Sequence, residues 1–196
     1  MISRIEEKIL CTQSEKIELF SMLVSKGLKL LYPPRTIASI YFDNNSLQMY
    51  SESEEGCVPR KKIRIREYPN FNKKKQLEIK TSSIEGRFKS TKEIEADVNE
   101  RYLKYGYFDN SYGVCLPKVF VKYTREYYSI DGVRITFDSN IIYNNFTSKK
   151  NFLDTRHVIE LKADSNYNSD YLSVLIEEPR KRFSKYWNAV NFCLHK

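Results

Sequence analysis

Charged and apolar residues alternate one by one through five short stretches of this chain, and that pattern leaves few folds open. Side chains in a β-strand point alternately to its two faces. In residues 62–66, Lys62, Arg64 and Arg66 therefore share one face, and Ile63 and Ile65 share the other. Glu78 and Lys80 are backed in the same way by Leu77 and Ile79, and Glu160 and Lys162 by Ile159 and Leu161. Arg134, Thr136 and Asp138 share a face, as do Arg4, Glu6 and Lys8. One such strand ordinarily turns its charges to water. Five of them are harder to place, because the amphipathic helices between them need an apolar surface to cover. If the helices take the sheet's apolar face, the charges must point the other way. In a sheet curled into a barrel, that way is inward.

The remaining segments fit this plan. Residues 2–10 read as a strand. Thr12 and Glu15 form a capping box for a helix in which Ile17, Phe20, Val24, Leu28 and Leu31 recur at helical spacing, with Pro33 and Pro34 ending it. Residues 37–42 form a strand, 43–50 a turn or short helix, 60–68 and 76–80 two further strands, and 69–75 a polar loop. Gly86 sits in a turn. Ser90 and Glu93 cap a helix carrying Ile94, Val98 and Tyr102. Pro117 opens a long strand, Asp131-Gly132 marks a hairpin, and 133–138 returns. Residues 143–154 read as a loop, 157–162 as a last strand, and two helices close the chain, the second holding Phe183, Trp187 and Val190. The expected class is α+β: an eight-stranded antiparallel β-barrel with flanking helices, in a single domain over residues 1–196.

Composition narrows the partners. At 41% apolar over 196 residues, a core can form without disulfides or metal staples. No apolar run approaches the roughly 18 residues of a membrane span, and the start lacks a signal peptide's apolar stretch, so a cytoplasmic location is expected. Cys11, Cys57, Cys115 and Cys193 are irregularly spaced and read as reduced thiols, and His157 and His195 form no zinc motif. Charge is concentrated. Residues 60–92 hold 12 Lys/Arg against 3 Asp/Glu, whereas the rest hold 21 against 22. So focused a positive field implies an anionic partner.

A lumen lined with cations is unfavourable when empty: two like charges 4 Å apart repel by about 4 kcal/mol at an effective dielectric of 20. A polyphosphate chain or triphosphate offsets this, gripped bidentately by Arg and by Lys as a point charge. The carboxylates among these cations make sense as ligands for Mg²⁺ or Mn²⁺ bridging phosphate oxygens. On this reading Arg64→Ala and Arg66→Ala weaken triphosphate binding and leave stability unchanged or raised, because they relieve repulsion. RNA-binding sheets use exposed aromatics on the charged face. The 62–66 and 77–80 strands have none there, so no specific nucleic acid is expected.

The stretches RIEEK, SIYFDNNSLQMY, RKKIRIREY, LEIKTSSIEGRFK, PKVFVKYTREYY, VRITFD, VIELK and FSKYWNAV, in this order, resemble the VTC domain, the polyphosphate-polymerase branch of the CYTH-like triphosphate tunnel metalloenzymes. The resemblance covers nearly the whole chain. It implies an eight-stranded tunnel that binds a triphosphate with a divalent metal, Mn²⁺ or Mg²⁺, and transfers the γ-phosphoryl of ATP to a growing polyphosphate. Carried over, it makes Lys8, Lys62, Arg64, Arg66, Lys80, Lys89, Arg125, Arg134 and Lys185 phosphate contacts, joined by Tyr123 and by Lys162 on the face of Glu160. Lys62, Arg64, Arg66, Lys80, Arg125 and Arg134 would act in catalysis. Glu160 would hold the metal, with Glu6 and Glu78 as further candidates.

Two departures stand out. Hydrolytic tunnel enzymes carry Glu-x-Glu-x-Lys near the start, whereas this chain has Arg4 at the first glutamate, which favours polymerase over hydrolase. The regulatory and membrane domains that accompany some members are missing from these 196 residues, so any membrane coupling is expected through a partner protein. Three readings stay open: a polyphosphate polymerase, a triphosphatase of the same fold, and a non-catalytic polyphosphate-binding module.

Overall fold

The computed structural model describes residues 4–148, 151–164 and 169–194. In chain order the elements are β1 (Arg4–Cys11), α1 (Gln13–Ser25), β2 (Lys29–Asp43), α2 (Gln48–Glu55), β3 (Arg60–Tyr68), β4 (Asn72–Ser83), β5 (Gly86–Ile94), α3 (Ala96–Tyr105), β6 (Tyr107–Asp109), β7 (Gly113–Ile130), β8 (Val133–Asn145), β9 (Asn151–Asp154), β10 (His157–Asp164), α4 (Ser169–Leu175) and α5 (Lys185–Leu194). Eight strands follow one hydrogen-bonded order, β1-β10-β8-β7-β2-β3-β4-β5, while β6 pairs with β7 and β9 with β8. The chain divides into two compact units. The first holds Met1–Arg35, Tyr123–Ile141 and Asp154–Phe183, and the second Thr36–Lys122, Ile142–Leu153 and Ser184–Lys196.

In the first unit the apolar parity of three strands becomes the core. Ile9 of β1, Val133, Ile135 and Phe137 of β8, and Ile159 and Leu161 of β10 are buried together. Leu19 and Leu23 of α1 and Leu172 and Leu175 of α4 belong to the same cluster. The antiparallel register Lys8↔Glu160, Glu6↔Lys162, Glu160↔Thr136 and Lys162↔Arg134 then aligns the charged parity on the opposite face. Asp131 and Gly132, with φ of 46° and 78°, form the β7–β8 hairpin turn as their dipeptide foretold.

The second unit rests on the β3–β4–β5 meander. Ile63 and Ile65 lie opposite Ile79 and Leu77, and all nine residues of β5 pair with β4. Asp43 anchors α2: it accepts hydrogen bonds from the backbone N–H groups of Asn44, Met49 and Tyr50, and from the hydroxyl of Tyr186 in α5.

Several local expectations give way to pairing. The Thr12–Glu15 capping box forms, but α1 stops at Ser25 and Gly27 turns the chain at φ 96°. Leu28 and Leu31 lie beyond the helix, Ile17 and Val24 are 59% and 50% exposed, and Leu19 and Leu23 are the buried pair. Pro33 and Pro34 sit inside β2, in its exposed first half, where a missing N–H is tolerated. Residues 72–75 extend β4 rather than forming a loop, and Ser90 and Glu93 lie in β5 rather than at a helix start. There the ladder to β4 satisfies backbone groups that a cap would have satisfied locally. Helix α3 begins only at Ala96. Between 143 and 154, β8 continues to Asn145 and β9 occupies Asn151–Asp154. His195 lies outside the described residues, as does the side chain of Arg4.

Candidate functional site

The residues expected to carry chemistry fall into two clusters, one in each compact unit. In the second unit, β3, β4 and β5 place Lys62, Lys80 and Lys89 directly across from one another in a row. The next row holds Arg64, Glu78 and Thr91. Glu78 is the hub. Its Oε2 accepts hydrogen bonds from Arg64 Nε at 2.8 Å and Nη2 at 2.5 Å. Its Oε1 accepts from Lys89 at 2.7 Å, with Arg66 at 4.0 Å. Burial alone would raise the Glu78 carboxyl, but the fields of Arg64 and then Arg66 outweigh it and hold the pKa at about 2.

Two side chains of β2 join this cluster without having been singled out from sequence. Tyr41 lies opposite Arg64 in the β2–β3 register, and Ser39 opposite Arg66. Arg64 Nη1 donates to the Tyr41 hydroxyl at 2.8 Å, and Arg66 Nε donates to Ser39 Oγ at 3.5 Å. Burial would push the Tyr41 hydroxyl up, yet Arg64 and Arg66 hold it below the usual phenol range. The signal was present as Ser-x-Tyr-x-Asp parity in residues 39–43, hidden by the β-forming apolar residues between. Tyr186 stacks on Tyr41 at 5.1 Å. Ser184 caps α5, accepting from the Trp187 N–H, and also accepts from Lys62 Nζ at 3.0 Å. A cationic face thus meets a helix N-terminus, whose unsatisfied N–H groups favour anions. Lys185 begins that helix, and Lys80 and Lys89 are exposed on the same sheet face.

In the first unit most charges are paired. Arg125 makes a two-point pair with Asp138, at 2.6 and 2.7 Å, and reaches Glu160 at 3.0 Å. Its guanidinium also lies 5.5 Å from the Tyr123 ring centroid. Lys162 bridges Glu160 at 2.8 Å and Glu6 at 3.6 Å, and Lys8 approaches Glu6 at 3.3 Å while donating to the Phe183 carbonyl at 3.0 Å. Burial would raise the Glu160 carboxyl, but Arg125, Lys162 and Lys8 hold it well below the ordinary range. Asp138 and the other acids keep Arg125 firmly protonated against the opposing effect of burial. Arg134 lies across from Lys162, exposed and with no carboxylate partner among the described residues. Asp138 is the positioning residue that the charged parity of residues 134–138 contained but that was not marked as part of the site.

No group of three or more His, Cys, Asp or Glu side chains among the described residues could enclose a metal by itself. The donor set nevertheless fits Mg²⁺ or Mn²⁺ at one place. Glu160 and Glu6 converge on a single ammonium, that of Lys162. One or two carboxylates completed by phosphate oxygens and water is the usual shell for such an ion.

The comparisons with known proteins agree with this architecture. A candidate adenylate cyclase from Bacillus halodurans is 12% identical with a TM-score of 0.63, covering 93% of this chain and 94% of its own. A conserved hypothetical protein from Pyrococcus furiosus is 15% identical at a TM-score of 0.61, covering 94% and 99%. A candidate adenylyl cyclase from Hippeastrum, described as having a dominant triphosphatase activity, is 16% identical at 0.60, covering 99% and 97%. At these identities the likeness establishes the fold, the α+β antiparallel tunnel fold with flanking helices. No curated protein matches significantly. No helix among the described residues is long and apolar enough to cross a membrane. The family model for the VTC domain matches residues 3–194, almost the entire chain, and the chain therefore belongs to the VTC domain family.

Proposed function

We propose that residues 1–196 act as one triphosphate tunnel domain that moves the γ-phosphoryl of ATP onto a polyphosphate chain with a divalent metal. The observation that carries this is the lopsided cluster of the second unit, where Arg64, Arg66 and Lys89 converge on the carboxylate Glu78, Lys62 and Lys80 stand in the neighbouring row, and Lys185 acts on Tyr41 beside them. Like charges directly opposite on neighbouring strands are destabilising, and a chain of phosphates relieves them. Phosphoryl transfer asks little covalent chemistry of a protein; positioning and charge stabilisation suffice.

The residues divide the work. Arg64 and Arg66 hold phosphate oxygens, with Glu78 and Tyr41 fixing the Arg64 guanidinium. Lys62, Lys80, Lys89 and Lys185 supply further positive charge along the phosphate chain. Arg125, held by Asp138, and Arg134 neutralise charge that develops on the transferred group, with Lys8, Lys162 and Tyr123 beside them. Glu160 and Glu6 would hold Mn²⁺ or Mg²⁺, which when bound would supply charge neutralisation to the phosphates.

The variants of the basic strand separate binding from stability. Arg64→Ala and Arg66→Ala each weaken tripolyphosphate binding by about 1.5–3 kcal/mol, the range for charge-assisted hydrogen bonds. Stability differs from the simple repulsion argument. Arg64 is bonded to both Glu78 and Tyr41, so its loss lowers the melting temperature, whereas Arg66, 4.0 Å from Glu78, costs less. Lys74, paired with Glu93 on an exposed surface, serves as control and changes neither. Calorimetric titration with tripolyphosphate reads the binding; equal affinity in wild type and both arginine variants would remove the phosphate-binding role.

A second reading is hydrolysis, favoured by the triphosphatase activity described for the Hippeastrum neighbour. One assay divides the two. ATP with Mn²⁺ is scored separately for ADP, free phosphate and long-chain polyphosphate. The polymerase yields ADP matched by polymer phosphate. ADP matched by free phosphate instead makes the chain a hydrolase, and no ADP at all leaves a binding module.

A further inference from the structure

Thr136 is 2% exposed, and its hydroxyl has no hydrogen-bond partner among the described residues. Buried polar groups are nearly always satisfied, and one left unpaired lowers stability. Thr136 is not a stray core residue. It lies on the charged face of β8 between Arg134 and Asp138, and its register partner across the sheet is Glu160. The apolar residues Ile135 and Phe137 on either side of it belong to the opposite face and the core. The hydroxyl is therefore an oxygen waiting beside a buried carboxylate.

The identity of the missing partner follows from charge. A phosphate oxygen is already served by Arg134 and Lys162 in the neighbouring row, whereas Thr136 itself lies across from the ionised Glu160. A cation is attracted to both oxygens. A hydroxyl also adds a hard oxygen without a further negative charge, in a cluster that already holds Glu6, Asp138 and Glu160.

We propose that the Thr136 hydroxyl is a third oxygen ligand of the divalent cation held by Glu160 and Glu6. This rests on the metal-dependent reading given above. Lys162, which bridges the two carboxylates, would yield its place to the ion. Thr136 adds a neutral donor that distinguishes a small hard cation from a second ammonium.

The test uses the whole chain and three variants: Thr136→Val, isosteric without the hydroxyl; Thr136→Ser, which keeps it; and Glu160→Gln. Mn²⁺ affinity is measured by titration calorimetry and by loss of the free-ion paramagnetic resonance signal, with and without tripolyphosphate. Melting is recorded without metal. Thr136→Val weakens Mn²⁺ binding by about tenfold or more, within the range that ligand-shell changes produce, and Thr136→Ser restores it. Without metal Thr136→Val melts at or above the wild-type temperature, because an unpaired hydroxyl has been replaced by a methyl group. If Glu160→Gln weakens Mn²⁺ binding while Thr136→Val binds it like wild type, the Thr136 assignment fails and the metal site stands. If Glu160→Gln also binds like wild type, the metal reading itself fails. A clear fall in the metal-free melting temperature of Thr136→Val would show that the hydroxyl has an internal partner, and overturns the assignment as well.

Discussion

Glu160→Gln lowers metal-dependent turnover by at least about a hundredfold, roughly 2.7 kcal/mol of transition-state stabilisation, and leaves the protein folded. The substitution keeps the shape and removes the charge that attracts a divalent ion. Its structural cost is limited because the cations around it have other acids: Arg125 keeps its two-point pair with Asp138, and Lys162 still reaches Glu6. Turnover with saturating Mn²⁺ and a melting curve are the two measurements. Wild-type turnover in the variant would mean that Glu160 does not hold the metal. The carboxyl of Glu160 is held well below the usual range by Arg125, Lys162 and Lys8, in spite of burial. It is therefore ionised throughout the working pH range, and the acid limb of a pH–rate profile should arise from another group.

Glu78→Gln has the larger effect on stability. Here Arg64, Arg66 and Lys89 converge on one carboxylate that is 2% exposed. Removing its charge leaves two buried arginines and a more exposed lysine without their shared anion, and breaking such a network costs about 3–5 kcal/mol. For a chain of this size the melting temperature falls by roughly 10 °C. Tripolyphosphate restores most of the loss, and stabilises the variant more than the wild type, because it replaces the missing negative charge. The same residue sets an acid dependence. Its pKa is lowered from 4.5 to about 2 on folding. The contribution, on the order of 3 kcal/mol, is complete above pH 4.5 and is lost as pH falls towards 2. Glu78→Gln should flatten the stability profile across that window. A variant that melts within about 2 °C of wild type and keeps the acid-dependent loss would assign both to other carboxylates.

The alternation in residues 62–66, 77–80, 133–138 and 157–162 determined by itself which side chains share a face, because the period of a strand is two and pairing cannot change it. Ile135, Phe137, Ile159 and Leu161 entered the core for that reason, and Lys62, Arg64 and Arg66 share one face of their strand for the same one. The capping box at Thr12 and the hairpin at Asp131-Gly132 were equally legible, since their hydrogen bonds and positive φ values are local.

Tertiary structure decided the rest. Where a cap or a proline competed with a ladder, as at Ser90, Glu93, Pro33 and Pro34, cross-strand pairing prevailed because it satisfies a backbone group at nearly every residue. Partner choice was likewise beyond the one-dimensional pattern. Parity places Arg64 and Arg125 on charged faces, but only the register of β2, β3 and β4 brings Tyr41 and Glu78 to Arg64. Only the folded first unit gives Arg125 both Asp138 and Glu160 while leaving the buried hydroxyl of Thr136 without a partner. A side chain's face is a property of its own strand; its partner can lie as far as 175 positions away, as for Lys8 and Phe183, and such distances close only when the chain folds.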